Sequence, residues 1–262
     1  MAALPPDQEP SVSLSPDGPA TVTEVILPGT ALYLHHLLAP HECAAFRQLM
    51  DTAGDVTDFG SGERSYQYRK RAVCRQEEAM AALWVRVRKV MEEEGLLGLT
   101  EPEGADWEAV GLNEMVRLVS YPPGGKFDRH CDSCFSRSDE ERSWWTLNIY
   151  LNTVAEEDGG ATVFLEGEQE TPVQPEEGAA LLFFQPNLLH EGRPLLRGEK
   201  WLLRSDVMFR RLQPVGREEA EARRLHREAQ HLEVTGRSEQ AWRSYARAFK
   251  LWPSLERDPN MG

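Results

Sequence analysis

The pattern of apolar and polar positions changes along this chain. Residues 22–27 and 31–38 are short apolar runs on either side of a Pro28-Gly29 turn, which predicts two strands. Residues 40–51 begin with a proline that suits the first turn of a helix. Residues 78–94 carry apolar side chains at helical spacing, with arginines and glutamates between them. This pattern predicts an amphipathic helix that packs against a sheet.

Beyond residue 113 the pattern changes to short strand-like runs separated by Gly- and Pro-rich turns. The runs cover residues 115–121, 144–151, 161–165, 179–185 and 202–209. Many short strands with such turns indicate a sandwich or a barrel. Because the helices come earlier in the sequence, we expect them to line one outer face of it.

Residues 217–256 return to a helical pattern. Their small and apolar positions resemble one 34-residue tetratricopeptide unit, and these are Leu225, Ala229, Leu232, Gly236, Ala241, Tyr245, Ala248, Phe249 and Pro253. Glu228 departs from that pattern. A single repeat cannot bury its own apolar face. We therefore expect a helical pair that docks on the main domain or on a second chain, and a plain helical hairpin is favoured over a peptide-binding repeat.

Composition sets limits on class and location. The length of 262 residues allows one large domain, expected at 22–216, with an appendage at 217–262. Residues 1–21 carry prolines, acids and serines without a basic or apolar segment, which predicts a disordered leader and no secretory signal. No apolar run approaches the roughly 20 residues that span a bilayer. The four cysteines form no evident framework, so a cytoplasmic or nuclear protein is expected.

The charge balance bears on partners. There are 29 basic and 43 acidic residues, for a formal net charge of −14. Binding to a nucleic-acid backbone needs a cationic surface. The sequence therefore argues against nucleic acid as the main partner, although a local basic groove stays compatible with it.

Three residues point to a metal. His130 and Asp132 follow a probable strand with Cys131 between them, and His190 ends another apolar run. Strand alternation would put His130 and Asp132 on one face and turn Cys131 to the other, where it would pack. Two imidazoles and one carboxylate can occupy one face of an octahedral metal and leave three positions open. That is the facial triad of non-haem Fe(II) oxygenases.

A zinc site built on His130, Cys131 and Cys134 is the competing interpretation. A structural zinc needs four closed ligands, commonly in two spaced pairs, whereas Cys43 and Cys74 each stand alone. This pattern favours the triad over zinc.

Two cations follow the second histidine. Lys200 and Arg204 are four residues apart on a predicted strand, so they share a face but lie about 13 Å apart along it. One ligand carboxylate cannot readily contact both. Lys200 is favoured as the anchor of a dicarboxylate. Arg204 is left open as an alternative anchor, as a structural partner of Asp206 or as a contact to substrate.

Other polar residues lie on neighbouring runs. The hydroxyl of Tyr121 could reach a bound carboxylate. Thr146, Asn148 and Tyr150 alternate along one face of a strand, and we expect this face to turn into the barrel because buried polar groups need partners.

Residues 113–211 resemble the prolyl 4-hydroxylase-type branch of the Fe(II)- and 2-oxoglutarate-dependent dioxygenases, and the likeness extends over about two-thirds of the chain. The matching stretches are LNEMVRLVSYPPGGKFDRHCD, WTLNIYLN, DGGATVF, VQPEEGAALLFFQPNLLHEG and GEKWLLRSDVMFRR. The resemblance implies an α+β fold with a double-stranded β-helix (jelly-roll) core and helices on one face. It implies Fe(II) on His130, Asp132 and His190, and the distal carboxylate of 2-oxoglutarate on Lys200. It also places Tyr121 near that carboxylate and residues 146–150 along the same pocket.

The implied function is an oxidoreductase that hydroxylates an aliphatic carbon, in a peptidyl proline or in a small molecule. It would use Fe(II), O2 and 2-oxoglutarate, release succinate and CO2, and be supported by ascorbate. Oxidative demethylation is a further possibility within the enzyme class. The alternative class is a non-catalytic binding or scaffold protein that uses its cleft and its helical tail, and a protein contact through the C-terminal helices is left open. Neither nucleic acid nor membrane is expected as a partner.

Overall fold

The computed structural model describes residues 10–52, 56–59, 69–101 and 104–257. Its four helices in this part of the chain are α1 (Pro40–Thr52), α2 (Glu77–Glu93), α3 (Arg217–Val234) and α4 (Ser238–Leu251). Short 3-10 turns cover Glu156–Asp158 and Pro253–Arg257. None of the described helices has both the length and the apolar character needed to cross a membrane.

Fifteen strands in the described residues form two antiparallel sheets. They are β1 (Val22–Leu27), β2 (Ala31–His35), β3 (Val56–Phe59), β4 (Arg69–Arg75), β5 (Gly98–Thr100), β6 (Asp106–Leu112), β7 (Met115–Tyr121), β8 (Phe127–His130), β9 (Ser136–Ser138), β10 (Glu141–Tyr150), β11 (Thr162–Glu166), β12 (Gln169–Val173), β13 (Ala180–Phe184), β14 (His190–Gly192) and β15 (Lys200–Arg211). The larger sheet runs β1-β2-β13-β10-β15-β7-β4-β3, with β5, β6 and β9 at its side. The smaller sheet runs β12-β11-β14-β8.

Two apolar cores lie on opposite faces of the larger sheet. On one face, Leu147 and Leu203 pack with residues of α1 and α2 such as Phe46 and Leu83. On the other face, an aromatic and aliphatic cluster joins the two sheets, and its members include Tyr33, Tyr150, Phe164, Leu181 and Phe183. Successive side chains of a strand point to opposite faces, so each central strand contributes to both cores.

The predicted elements and the observed ones agree in the long segments. β7 covers residues 115–121 as predicted, and α2 begins and ends one residue before its predicted bounds. The predicted strand at 31–38 ends early, at His35, because His36 adopts a left-handed backbone conformation with φ of 58°. β14 was not among the predicted runs, since three residues show no clear period, whereas the probable strand expected at His130 is present as β8.

The N-terminal segment differs from the expectation of a disordered leader over 1–21. Residues 1–9 lie outside the described part, but residues 10–20 contact the domain. Val12 is buried, and its backbone N–H donates to Gln76 Oε1 at 2.9 Å. The amide of Gln76 donates to the carbonyl of Pro10 at 3.0 Å, and Arg86 donates to the carbonyl of Ser15. Val12 and Leu14 pack on the core, and hydrogen bonds between the side chains of Gln76 and Arg86 and its backbone hold this segment on the domain next to α2.

The C-terminal helices α3 and α4 pack on each other through Ala222, Leu225 and Ala248. Two ion pairs connect α3 to the part of the chain that forms the sheets. Glu219 accepts from Arg211, the last residue of β15, at 2.7 Å, and Arg227 pairs with Asp139, between β9 and β10, at 2.7 Å. The interpretation of this pair as a tetratricopeptide-like unit stays a prediction.

Candidate metal centre

The two histidines lie directly opposite each other on adjacent strands of the smaller sheet. His130 ends β8, His190 begins β14, and the two residues pair in the antiparallel register with their ring centroids 4.3 Å apart. Each ring donates its Nδ1–H to a backbone carbonyl two residues earlier, to Asp128 at 2.7 Å and to Leu188 at 3.0 Å. Since a carbonyl only accepts, Nδ1 carries the proton and Nε2 keeps its lone pair. Such outer hydrogen bonds are what orient metal-binding histidines.

Asp132 completes the cluster. Its Oδ1 lies 3.5 Å from Nε2 of His130, and its Oδ2 lies 3.9 Å from Nε2 of His190. One ligand atom from each of the three residues lies within 4.8 Å of the others. Burial lowers the pKa of His190, which favours the neutral imidazole that a metal requires.

The route by which Asp132 reaches the cluster corrects the sequence interpretation. Strand alternation was expected to align it with His130, but β8 ends at His130 and Asp132 lies beyond it. Its carboxylate is instead held by Thr146 on β10, whose hydroxyl donates to Oδ2 at 2.7 Å. Cys131, expected to pack, is exposed.

Arg204 on β15 and Gln185, the residue after β13, support Asp132. Arg204 lies with its Nη1 2.7 Å from Oδ1 of Asp132, and Gln185 donates to Thr146 at 3.2 Å and to Asp206 at 3.0 Å. Burial raises the pKa of Asp132, but the charge of Arg204 and the hydrogen bond from Thr146 lower it more, so the pKa lies well below its ordinary value. The carboxylate is therefore held ionised, as a metal ligand must be.

The chemistry of this cluster fits the facial triad and does not fit the zinc alternative. Among the described residues, the one group of three or more metal-binding side chains consists of His130, Asp132 and His190. Neither Cys131 nor Cys134 belongs to it. Two imidazoles and one carboxylate do not close a tetrahedral structural zinc site, but they leave coordination positions open on an octahedral metal such as Fe(II).

Lys200 lies in the same cavity with its side chain fully buried. Its Nζ donates to the carbonyl of Gly160 at 2.6 Å and lies 3.5 Å from Oγ1 of Thr162. No carboxylate in the described residues pairs with it. Burial alone lowers the pKa of Lys200 to about 7, because the ammonium is desolvated without a counter-charge. A buried cation in this state favours an anionic ligand.

The other predicted pocket residues surround Lys200 or lie along the same strands. Tyr121 is its cross-strand partner, and the rings of Tyr121 and Tyr150 have their centroids 5.9 and 5.4 Å from Nζ. The hydroxyl of Tyr150 donates to Thr162 at 2.8 Å. Asn148 lines the cavity, and its buried Oδ1 has no hydrogen-bond partner among the described residues.

Sequence reasoning missed Thr162, Gln185 and the role of the Gly159-Gly160 turn. Both glycines have positive φ, at 75° and 71°, and a Cβ on Gly159 would meet the carbonyl oxygen of Pro194 at 2.5 Å. Only glycine therefore fits the position next to the carbonyl that receives Lys200. A lone threonine in an apolar run carries no signal by itself; its importance comes from its distance to Lys200.

The cavity joins these parts. It has a volume of about 160 Å³, and since one water needs roughly 10–15 Å³, it is large enough for a small dicarboxylate. His130 and His190 line it together with Lys200. The described residues that line it include no Asp or Glu. They include six cations, which are Arg71, Arg117, Lys126, Arg193, Lys200 and Arg204.

Comparison with known proteins agrees with this geometry. Residues 116–205 match the model of the 2OG-Fe(II) oxygenase superfamily. The matched segment begins within β7 and ends within β15, so it contains the three clustered side chains and Lys200.

Two curated relatives come from Arabidopsis thaliana. The chain is 31% identical over 115 residues to "Probable prolyl 4-hydroxylase 6" and 29% identical over 118 residues to "Prolyl 4-hydroxylase 2". Each alignment covers 34% of this chain, and the chain spans 39% of the length of these relatives.

Solved structures show the likeness of fold. The viral collagen prolyl hydroxylase of Paramecium Bursaria Chlorella virus-1, in its 2OG complex, aligns with a TM-score of 0.51 at 18% identity, covering 71% of this chain and 99% of that one. A Pseudomonas putida prolyl-4-hydroxylase aligns with a TM-score of 0.50 at 21% identity, covering 70% and 92%. The mixed α/β fold with its curled antiparallel sheet is thus similar to the jelly-roll folds of 2OG oxygenases.

Proposed function

We propose that residues 22–216 form an Fe(II)- and 2-oxoglutarate-dependent dioxygenase that hydroxylates an aliphatic carbon, in a peptidyl proline or in a small molecule. One observation carries the proposal: two imidazoles and a carboxylate converge, and both imidazoles line the same cavity as a buried lysine that has no carboxylate partner among the described residues. The triad alone fits several metals and several reactions. The buried lysine in the same cavity favours an acidic co-substrate, because a carboxylate would supply its missing counter-charge.

In this proposal His130, Asp132 and His190 hold Fe(II), and Thr146 and Arg204 keep the carboxylate oriented. When bound, the iron supplies the activation of O2 by 2-oxoglutarate that ends in succinate, CO2 and a hydroxylated product. The chain itself binds, orients and shields. Both histidines present Nε2 because their Nδ1–H groups are committed to backbone carbonyls.

Lys200 is the proposed anchor for the distal carboxylate of 2-oxoglutarate. A carboxylate at this place would give the ammonium a charge-assisted hydrogen bond and would raise its pKa towards the ordinary value. Thr162, 3.5 Å from Nζ, lies where its hydroxyl would reach the same carboxylate, and Tyr121 borders that place. Arg204 is not the proposed anchor, because it contacts Asp132 and lines another part of the cavity.

The test is 2-oxoglutarate turnover by the purified full-length chain with Fe(II), ascorbate and air. Succinate release that needs both Fe(II) and 2-oxoglutarate is the expected result. Addition of candidate substrates, including proline-containing peptides and free amino acids, should increase it. An Asp132→Asn variant should release no succinate, because an amide is a poor substitute for the carboxylate ligand.

The non-catalytic alternative makes a different forecast. A scaffold that uses its cleft and its helical tail would bind 2-oxoglutarate or a partner without releasing succinate. Oxidative demethylation would release formaldehyde together with succinate. The same assay, with a formaldehyde probe added, therefore separates the three proposals.

A further inference from the structure

We propose that the prime substrate, meaning the molecule that is oxidised, carries a carboxylate or another anionic group that binds to Arg117 and Arg204. This inference rests on the proposed function, since it assigns a role in the same cavity to Arg117, which neither the metal nor the co-substrate requires, and a second role to Arg204, which already contacts Asp132. It narrows the substrate class from an aliphatic carbon in general to an acidic peptide or a free acid.

The first observation is the register of the two arginines. Arg117 on β7 and Arg204 on β15 are directly opposite each other, and both line the cavity. Side chains at opposed positions of antiparallel strands lie on the same face and close together, and like charges there destabilise the sheet. A pair of this kind is a cost to the fold, and such costs are typical of functional sites.

The second observation is that few acidic side chains contact Arg117 and Arg204. Asp206, almost fully buried, lies with Oδ2 3.2 Å from Arg117 Nη1 and with Oδ1 3.8 Å from Arg204 Nη2. The other acidic contact is between Arg204 and Asp132. The Nε of Arg204 is buried and has no hydrogen-bond partner in the described residues. At least one N–H donor of the pair, on Arg204, therefore has no acceptor among the described residues.

The third observation concerns Asp132, which the metal would share. A carboxylate that ligates a divalent cation gives less of its charge to a neighbouring guanidinium. In the metal-bound state, Asp206 would then be the main counter-charge for two arginines. One additional carboxylate, placed between the two guanidiniums, would restore the balance and form the paired N–H···O contacts that arginine makes.

This anion is separate from the co-substrate. Lys200 and Arg204 are four residues apart on β15, which corresponds to about 13 Å along the strand. One carboxylate cannot occupy both places. The cavity offers a cation at its Lys200 end and an arginine pair towards Arg117, whereas the chain as a whole has a net charge of −14. An acidic protein that concentrates cations in one cleft is equipped to select an anion there.

The test uses matched probes. One set consists of pentapeptides with a single proline flanked by Glu, Gln or Lys; the other consists of free amino acids and their amides, which separates a peptide source from a small-molecule source. Binding is measured by calorimetry without oxygen, with Mn(II) and 2-oxoglutarate present, so that no turnover occurs. Succinate release in air is measured in parallel. We expect acidic probes of at least one set to bind about tenfold or more tightly than their amides.

Arg117→Gln should abolish that preference, so that acidic probes and their amides bind about equally. Arg117→Lys should retain part of it, because lysine keeps the charge but lacks the planar guanidinium. Arg210→Gln is the matched control, since Arg210 lies on the same strand as Arg204 but is exposed and pairs with Glu141. It should leave the preference unchanged. Arg117 is the better position to test because no contact joins it to Asp132 in the described residues.

The outcomes are separable from those of the proposed function. If acidic probes bind no better than their amides in either set, if lysine probes are preferred, or if the preference survives in Arg117→Gln, the anion site is wrong. If acidic probes bind selectively but the enzyme never releases succinate, the anion site stands and the proposed oxygenase function fails. If succinate forms equally with neutral, acidic and basic probes, the oxygenase stands and the anion site fails.

Discussion

The two faces of strands β10 and β15 share a backbone but differ in what they carry. On the face towards α1 and α2, Leu147, Leu203 and Val207 are completely buried among apolar residues. On the face towards the cavity, Asn148 and Lys200 alternate with them. One residue along the strand thus separates a position that stabilises the fold from a position that serves chemistry. The effect of a substitution on these strands therefore depends on which of the two faces the side chain occupies.

The cavity face also tolerates arrangements that a core would exclude. It holds a buried lysine without a carboxylate partner in the described residues, two opposed arginines and an unpartnered Oδ1 on Asn148. Each is unfavourable by itself, because buried polar groups and like charges need compensation. A ligand that supplies the missing partners would stabilise the folded state in proportion to its affinity. Removing a side chain from the helix-side face should therefore lower stability, whereas removing a polar side chain from the cavity face should weaken ligand binding without lowering the stability of the ligand-free protein.

The largest effect is expected at the metal cluster. His190→Ala removes one of three ligands, so binding of one metal per chain should be lost and turnover abolished, while the protein stays folded. Metal stoichiometry by equilibrium dialysis with Mn(II), followed by succinate release with Fe(II), measures both. His35→Ala is the control, since this histidine contacts Glu24 and Glu176 away from the cluster. Stoichiometric metal binding and full turnover in His190→Ala would move the site elsewhere.

The next effect concerns Lys200, where function and stability should change in opposite directions. Lys200→Met should raise the 2-oxoglutarate requirement on the order of 100-fold, because a buried charged partner is lost. Metal affinity should hardly change. At the same time the ligand-free variant should be more stable than the wild type at pH 7, since the folded chain no longer buries a lysine whose pKa is about 7.

The sign of the pH dependence follows from that pKa. Between about pH 7 and the ordinary lysine range near 10, the unfolded chain binds the proton of Lys200 and the folded chain does not. The wild-type free energy of unfolding should therefore rise with pH across this window, and Lys200→Met should lack that slope. Urea denaturation at several pH values measures it. Arg204→Gln serves as the control for the co-substrate; if it alone raised the 2-oxoglutarate requirement, the anchor would be Arg204.

A smaller effect should separate two adjacent leucines. Leu203 is fully buried in the helix-side core, and Leu203→Ala should lower the free energy of unfolding by about 2–5 kcal/mol. Leu202 lines the cavity, where space already exists, so Leu202→Ala should cost roughly half as much or less. Conversely, only Leu202→Ala should change the 2-oxoglutarate requirement. Equal losses of stability in the two variants would contradict the separation of the faces.

Sequence reasoning succeeded where one local pattern is sufficient. The apolar spacing of α2 and the run of β7 are long enough to be recognised, and the histidines and Lys200 stand at distinctive spacings. It failed where a residue's role depends on contacts with residues that are distant in the sequence. Thr162 and Gln185 look like single polar residues in apolar runs, and they acquire roles through neighbours on other strands. The contact of Arg204 with Asp132 depends on a loop after β8 that no periodicity describes.

The smallest effect that we predict lies at the far end of β15. Glu219 on α3 is buried and accepts from Arg211, the last residue of β15, and from Arg223. Glu219→Gln should lower the free energy of unfolding by about 1–2 kcal/mol, because a charged partner of two arginines is lost while the amide can still accept. Co-substrate and metal requirements should be unchanged.

This change also has a defined pH dependence. Burial raises the pKa of Glu219, but the hydrogen bonds from Arg211 and Arg223 lower it more, so its pKa lies below the ordinary value. Its stabilisation is therefore complete above the unfolded pKa, near 4.3, and is lost as the pH falls through the folded pKa. The Gln variant should lose less stability on acidification than the wild type. Glu221→Gln, two residues away in an exposed pair with Arg224, should show no measurable change. If Glu219→Gln altered 2-oxoglutarate turnover at constant stability, the two ends of β15 would be coupled, and the helical pair would take part in the function of the cavity.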